Sequence, residues 1–275
     1  MLHAVPKRQS ISGTTKANNM EESQQTPIAL ITGGSRGLGR SMALHLAQQG
    51  TDVILTYRTK ATEAAEVVQQ IQALGRKALA LQLEVTDSAS FEAFATTLAA
   101  ELQRAWQRKS FDYLVNNAGA GLYASIVETT PAQLDEMYQM HFKAPYLLTQ
   151  RLLPLIADGG RILNVSSGLA RFAIPGSSAY GAMKGAVEVL TRYMAKELGP
   201  RRISVNVIAP GAIATDFGGG HVRDNADIQR MVTSMTALGR VGLPDDIGGA
   251  VAMLLAPESA WLNGQRIEVS GGMNL

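Results

Sequence analysis

The sequence predicts an α/β fold: a doubly wound sandwich, three layers thick, with a seven-stranded parallel sheet at its centre. Three observations lead there. From residue 27 onward, short apolar runs alternate with longer stretches of helical period. The apolar runs lack the polar alternation of a half-wetted sheet, so they read as strands covered on both faces. No internal repeat and no mid-chain linker rich in Pro, Gly or Ser interrupts the alternation, so residues 27–275 read as one domain.

The strands are expected at 28–32 (IALIT), 52–57 (DVILTY), 77–83 (KALALQL), 112–116 (DYLVN), 161–167 (RILNVSS), 203–210 (ISVNVIAP) and 266–271 (RIEVSG). Between them, Val67, Ile71 and Leu74 fall at helical spacing, as do Phe91, Phe94, Leu98 and Leu102, and Met183, Val187, Leu190 and Met194. The stretch DFGGGHVRDNADIQRMVTSM (216–235) breaks the rhythm. It reads equally as a mobile lid or as a surface loop followed by a short helix. Residues 1–26 read as a flexible extension, because Pro6, Gly13 and Asn18-Asn19 would break any amphipathic helix there.

Composition removes several function classes. A net charge of +2 and the lack of a basic face interleaved with aromatics argue against nucleic acid as a partner. No apolar run reaches the ~20 residues that cross a bilayer, so no membrane partner is expected. The absence of cysteine excludes disulfides and thiolate chemistry and suits a reducing, cytoplasmic setting. His3, His45, His141 and His221 are too scattered for a metal motif, so no metal is expected.

The first strand runs into TGGSRGLGRSMALHLAQQG, with Gly33, Gly37 and Gly39 between a strand and a helix expected to begin near Arg40. Glycines at that junction let a pyrophosphate approach the backbone, and the new helix presents free N–H groups and its positive dipole end. A dinucleotide is the expected ligand. Dinucleotide folds that prefer NAD tend to close the second strand with an acid. Here Tyr57 stands at that place with Arg58 next, and Arg36 lies in the glycine loop with no acid near it in sequence. Arginine forks suit a 2′-phosphate, so NADP (NADPH) is expected rather than NAD.

The spacing Gly33-x-x-x-Gly37-x-Gly39 resembles the short-chain dehydrogenase/reductase family, in its branch of about 250 residues, and the likeness runs from about residue 27 to 275. Glu84-Val85 resembles the family's adenine-holding acid and valine, although Asp is usual there. NNAG (116–119) follows the fourth strand as the family pattern requires, Ser167 stands thirteen residues before Tyr180, PGAIAT (210–215) resembles the nicotinamide loop, and NGQRIEVSGG resembles the closing strand. The resemblance implies a Rossmann-type fold. It also implies that Thr32, Ser35, Leu38, Asn117, Ala118, Gly119, Pro210, Gly211, Ile213 and Thr215 join the glycines, Arg36, Tyr57, Arg58, Glu84 and Val85 in holding the cofactor.

The stretch SAYGAMKGA (178–186) carries the chemistry. Tyr180 and Lys184, four apart, share a helix face. A free phenol has a pKa near ~10; bringing it to ~7 takes about three units, roughly 4 kcal/mol, and the nearby ammonium is expected to supply much of this together with the cofactor's positive nicotinamide ring. Tyr180 then protonates the oxygen of a ketone reduced by hydride, and Ser167 steadies that oxygen. Lys184 also holds the nicotinamide ribose, as the resemblance implies. The family normally has asparagine where His141 stands. The resemblance implies that this asparagine bends the helix and seats a water linking the lysine to bulk solvent; a histidine there is expected to hold a similar water, but it can also gain charge near neutral pH and compete with Lys184, giving an unusual pH profile.

The resemblance is close to 3-oxoacyl-thioester reductases and carbonyl reductases, so the expected substrate is a small-molecule ketone, with Tyr123, Phe172, Ile174 and Phe217 as an apolar lining. Arg171 and Arg223 are the candidates for contact with an acyl carrier protein. Relatives usually form tetramers, so a homotetramer is expected. Two alternatives remain: an NADP(H)-binding sensor or scaffold with little turnover, and an enoyl reductase. The enoyl reductases separate their Tyr and Lys by six residues, and seven past Tyr180 stands Val187, which argues against the second.

Overall fold

The computed structural model describes residues 25–275; the extension expected over 1–26 lies, as far as residue 24, outside the described residues. Among the described residues, seven strands form one parallel sheet: β1 (Ile28–Ile31), β2 (Asp52–Tyr57), β3 (Ala78–Gln82), β4 (Phe111–Asn116), β5 (Ile156–Val165), β6 (Ser204–Pro210) and β7 (Arg266–Val269), in the order β3-β2-β1-β4-β5-β6-β7. The helices are α1 (Gly37–Gln48), α2 (Ala61–Ala73), α3 (Phe91–Trp106), α4 (Pro131–Tyr138), α5 (Ala144–Leu152), α6 (Ser178–Glu197), α7 (His221–Asp224), α8 (Ala226–Ser234) and α9 (Pro244–Leu255).

Successive strand residues face opposite layers. In β1, Ala29 and Ile31 join Met42 and Leu46 of α1 and Val251 of α9, while Ile28 and Leu30 join Leu98 and Leu102 of α3 and Leu148 of α5. Strands inside the sheet are therefore apolar on both faces, as the sequence predicts. The edge strands β3 and β7 are only half-buried, because one flank of each has no neighbouring strand.

Three expectations need correction. β5 begins at Ile156, five residues before the expected start, because Gly159 at φ +78° and a register shift between Phe111 and Tyr113 let the chain join the sheet early. Leu74 caps the end of α2 and is 45% exposed, so it does not extend that helix's buried face. The first helix starts at Gly37, not near Arg40, so two of the three glycines lie in its first turn.

Two features position the site. The order of connection reverses between β1 and β4, which opens a crevice beyond their carboxyl ends. And α4 runs into α5 through a π turn at Gln139–Lys143 that holds His141 on its inner side, 1% exposed. Thr130 starts this helix with a capping box to Gln133, so its phase is fixed from the first turn.

Candidate active site

At the crevice, the loop after β1 is locked to the segment after β4. Thr32 is buried; its hydroxyl accepts from the backbone N–H of Asn117 at 2.9 Å and of Ala118 at 3.0 Å. The Asn117 amide returns hydrogen bonds to the carbonyls of Thr32 (2.8 Å) and Gly33 (3.2 Å). A Cβ on Gly39 would lie 2.2 Å from the Gly33 carbonyl oxygen, so α1 packs against its own loop at a distance that only glycine permits. Gly37, at φ +53°, is open by contrast: a Cβ there would find only the Thr215 side chain within 4 Å. Arg36, the N-cap of α1, makes no capping bond, so the first N–H groups of the helix have no side-chain acceptor from the cap residue. A backbone cradle at a helix N-terminus, open on one side, fits the pyrophosphate of a dinucleotide.

Around that cradle, Ser35 and Val85 are buried, Leu38, Tyr57, Gly211 and Ile213 are half-buried, Gly119 is exposed and Pro210 ends β6. The two arginines do have acids beside them, from parts of the chain remote in sequence. Arg36 donates to Asp216 at 2.8 Å, and Arg58 lies 3.8 Å from Glu84. The other carboxylate oxygen of Glu84 accepts from the Thr86 N–H and hydroxyl. All four charged groups are at least 38% exposed, so these pairs are loose enough to exchange partners.

The residues expected to be catalytic lie on and beside α6. Its first residues carry small side chains, and Tyr180 and Lys184 point inward, 8% and 5% exposed. The Lys184 Nζ sits 5.4 Å from the Tyr180 ring centre and donates to the Val165 carbonyl at 2.7 Å. Ser167 follows β5 and caps a short turn, its Oγ accepting from the Leu169 N–H at 3.2 Å. The fold therefore brings the three expected residues together, but the expected acidification of the phenol is not what this geometry produces. Burial pushes the Tyr180 phenol above the ordinary tyrosine range, and a hydrogen bond with Ser167 opposes that only in part. The same burial pushes Lys184 down to about 7. The lysine is aimed at a backbone carbonyl, so desolvation outweighs its attraction for the phenolate.

His141 stands edge-on to Tyr180, ring centres 5.0 Å apart at 87°, and its Nε2 donates to the Ala120 carbonyl at 2.8 Å. The expected second cation is not formed. Burial first, and the charge of Lys184 second, hold this imidazole at about 3, so it is neutral throughout the working range of the site.

Over this floor lies Phe217, 5.7 Å from the Tyr180 ring and packed against Gly121. Tyr123 packs on Gly176 and Phe172 on Gly168, which joins the segments after β4 and β5 into one wall; Ile174 is half-buried in it. The stretch 216–235 folds as a short turn, α7 and α8, with Gly218, Gly219 and Gly220 all at positive φ (61°, 83° and 80°). Arg171 and Arg223 are not free for an acidic carrier. Arg171 forks onto Glu268 at 2.7 Å and 2.8 Å and also donates to the Met273 and Asn274 carbonyls; Arg223 pairs with Asp224 and Asp216. Glu268 is thereby held down to about 2.

Sequence reasoning missed the carbonyls of Val165 and Ala120, which orient Lys184 and His141, because a backbone acceptor leaves no residue signature. It also missed Asp216, whose partner Arg36 lies 180 positions away, and Arg266, which joins Glu188 at 2.7 Å and so reaches Ser166, whose hydroxyl donates to Glu188 at 2.6 Å.

Comparison with known proteins adds four findings. A family model described as Enoyl-(Acyl carrier protein) reductase matches residues 33–274. A tetrahydroxynaphthalene reductase of Pestalotiopsis fici is 35% identical over 257 residues, covering 89% of this chain and 90% of that protein. Among solved structures, an angucycline C-6 ketoreductase with bound NADP superposes with a TM-score of 0.86 at 35% identity, over 91% of this chain and 96% of the other. A promiscuous reductase that catalyses keto-reduction at C1 in lugdunomycin biosynthesis gives 0.85 at 38% identity, over 90% and 98%.

Proposed function

The chain belongs to the short-chain dehydrogenase/reductase family, and from that premise we propose that it is an NADPH-dependent reductase of a ketone borne on an apolar, ring-containing small molecule. The observation that carries the reading is the buried triad of Ser167, Tyr180 and Lys184 at the mouth of a glycine-lined phosphate cradle. Its oxidoreductase character and its use of NADP agree with the relatives, one of which holds that cofactor.

The cradle of Gly33, Ser35, Gly37, Leu38 and Gly39 would take the pyrophosphate, and Arg36 and Arg58 the 2′-phosphate. Glu84 and Val85 would take the adenine. Asn117 to Gly119, Pro210, Gly211, Ile213 and Thr215 would wall the nicotinamide. When bound, the reduced cofactor supplies hydride to the carbonyl carbon. This chain's residues handle the oxygen. Ser167 donates a hydrogen bond to it, and Tyr180, kept neutral by burial, releases its proton only to the strongly basic alkoxide that hydride addition creates. Lys184 is a cation within 5.4 Å of the phenolate ring that remains, and it favours that anion. The reverse reaction, alcohol oxidation, uses the same groups.

Phe217, Tyr123 and Phe172 suit a ring-bearing ketone. An acyl chain delivered on a carrier protein is less well supported, because both candidate arginines are already paired. Ketone reduction is favoured over the enoyl reduction named by the family model because Lys184 follows Tyr180 by one helical turn. The homotetramer remains part of the reading. Tyr146, Val189 and Tyr193, 43–65% exposed, line a groove of about 560 Å³ on α5 and α6, an apolar face suited to a second copy. Among the described residues no helix is long and apolar enough to cross a membrane.

The test follows NADPH absorbance with a panel of ring ketones and 3-oxoacyl thioesters, with NADH as control. Turnover of ring ketones with NADPH is the expected result. Tight NADPH binding without turnover of any member would replace the enzyme reading with a sensor.

A further inference from the structure

Three successive residues at the end of β5 each share a hydrogen bond with a charged side chain. The Val165 carbonyl accepts from Lys184 at 2.7 Å, the Ser166 hydroxyl donates to Glu188 at 2.6 Å, and the Ser167 carbonyl accepts from Arg266 at 3.4 Å. Lys184 and Glu188 stand one turn apart on α6, and Arg266 opens β7. Lys184 has a place in the proposed chemistry, whereas Glu188 and Arg266 have none there.

Arg266 commits every nitrogen of its guanidinium. Its Nε donates to Glu188 at 2.7 Å, its Nη1 to Glu268 at 2.8 Å, and its Nη2 to the Ser167 carbonyl. Glu268 is fixed in turn by the fork of Arg171. A planar group held by carboxylates on two sides has little freedom, so its third edge is aimed at Ser167. The side chains of Glu188, Glu268 and Arg266 are 13%, 21% and 23% exposed, so water screens these pairs less than the open pair of Arg36 and Asp216.

The Ser167 hydroxyl depends on that backbone. Its Oγ accepts from the Leu169 N–H at 3.2 Å, which leaves its hydrogen to donate to a substrate oxygen.

We propose that Arg266, braced by Glu188 and Glu268, is a positioning residue for Ser167. It grips the serine's backbone from β7, while Glu188 ties the adjoining Ser166 to the helix that carries Tyr180 and Lys184. One ion network thereby sets the hydroxyl that steadies the ketone oxygen against the phenol that protonates it. The inference rests on the assignment of Ser167 and Tyr180 to those roles.

The test separates positioning from stability. Arg266→Met keeps much of the side-chain stem and removes every donor. Its kcat is expected to fall by about 10- to 100-fold, with KM for the ketone and Kd for NADPH within about twofold of the parent. Arg266→Lys keeps the charge without the fork, and Glu188→Gln keeps an acceptor for Ser166, so each should lose less. Arg201→Met is the control: it unties the opposite end of β5, where Arg201 donates to the Leu153 and Ile156 carbonyls, and it should lower Tm with kcat unchanged below the melting range. A lower Tm with unchanged kcat in Arg266→Met, or an equal loss of kcat in the control, overturns the proposal. If Arg266→Met does not fold, Arg266→Lys and Glu188→Gln are compared with the control in its place.

Amide hydrogen exchange in the cofactor-free protein reads the same contact without turnover. The Leu169 N–H should exchange faster in Arg266→Met, or in Arg266→Lys if Met does not fold, while the amides of β1 keep their rates. Unchanged exchange at Leu169 overturns the proposal even where no ketone is reduced, so its failure is distinct from failure of the reductase assignment.

Discussion

Tyr180, Lys184 and His141 are at most 8% exposed, two of them on the twenty-residue α6 and one on the long helix packed beside it. Phe217, which meets the Tyr180 ring, and Met231, later in the same segment, are 47% and 48% exposed, on a three-glycine turn and a nine-residue helix. The floor is held by burial and by hydrogen bonds of 2.7 and 2.8 Å to the Val165 and Ala120 carbonyls. The roof is tethered to the cradle by the exposed ion pair of Asp216 with Arg36, of a kind worth only ~0–1 kcal/mol. The contrast follows from the task. On the proposed function, proton donation tolerates little misplacement, whereas a ketone must enter and its product must leave. Substitutions in the floor should therefore change kcat, and substitutions in the roof should change KM.

The largest effect is expected from Tyr180→Phe, which keeps the ring on His141 and Phe217 but removes the proton. Turnover should fall by about 10²- to 10⁴-fold with NADPH binding intact, as read from NADPH absorbance and fluorescence. Full turnover would remove the donor role altogether. Lys184→Met sharpens the same side of the comparison through stability. Burial depresses this lysine to about 7, so between that value and its ordinary 10.5 the unfolded chain binds more protons than the folded one. The cost of the buried charge is fully present below pH 7, declines as pH rises, and is gone above the unfolded value. The cofactor-free variant should melt higher than the parent, most clearly below pH 7, and lose activity. A variant that melts lower at acidic pH would show that the ammonium is well paired.

This division also explains what was legible in the sequence. The floor and the cradle were, because they are local. Tyr180 and Lys184 lie one turn apart, Gly33, Gly37 and Gly39 lie within seven positions, and both sit at strand–helix junctions that the apolar periodicity marks. The seven strands were legible for the same reason, apart from the start of β5, which a glycine conformation and a register shift decide. Long-range pairing was not. Arg36 read as unaccompanied because Asp216 arrives from beyond β6, and Arg171 read as free because Glu268 is 97 positions away. The protonation states were illegible too. Spacing placed a cation beside a phenol, but only packing shows that burial moves both groups the opposite way.

Arg36 stands where cradle and roof meet, and its removal should give the next effect in size. In the Arg36→Ala/Arg58→Ala protein, NADPH affinity should fall by about 10- to 100-fold per lost charged hydrogen bond, with NADH affinity little changed. Unaltered discrimination between the two cofactors would place the 2′-phosphate elsewhere. Because Asp216 loses its partner in the same protein, a higher KM for the ketone should accompany the loss.

The smallest effects distinguish the roof's side chain from its hinge. Phe217→Ala removes a ring from the proposed pocket lining, and an aromatic contact between it and a ring-bearing ketone would be worth about 0.5–1.5 kcal/mol. KM for a ring ketone should therefore rise by about 2- to 10-fold, with kcat nearly unchanged and a smaller change for an aliphatic ketone. Gly219→Ala leaves that ring in place. Its new methyl meets no heavy atom closer than 3.6 Å, so the whole effect comes from forcing an L residue to φ +83°, at roughly 1–2 kcal/mol. That strain disfavours the described conformation of the turn. If this conformation is the one that closes over substrate, KM should rise for aromatic and aliphatic ketones alike, which separates hinge from ring. If the variant lowers KM instead, the described turn is the open form, and Phe217 reaches its working position only after the three glycines move.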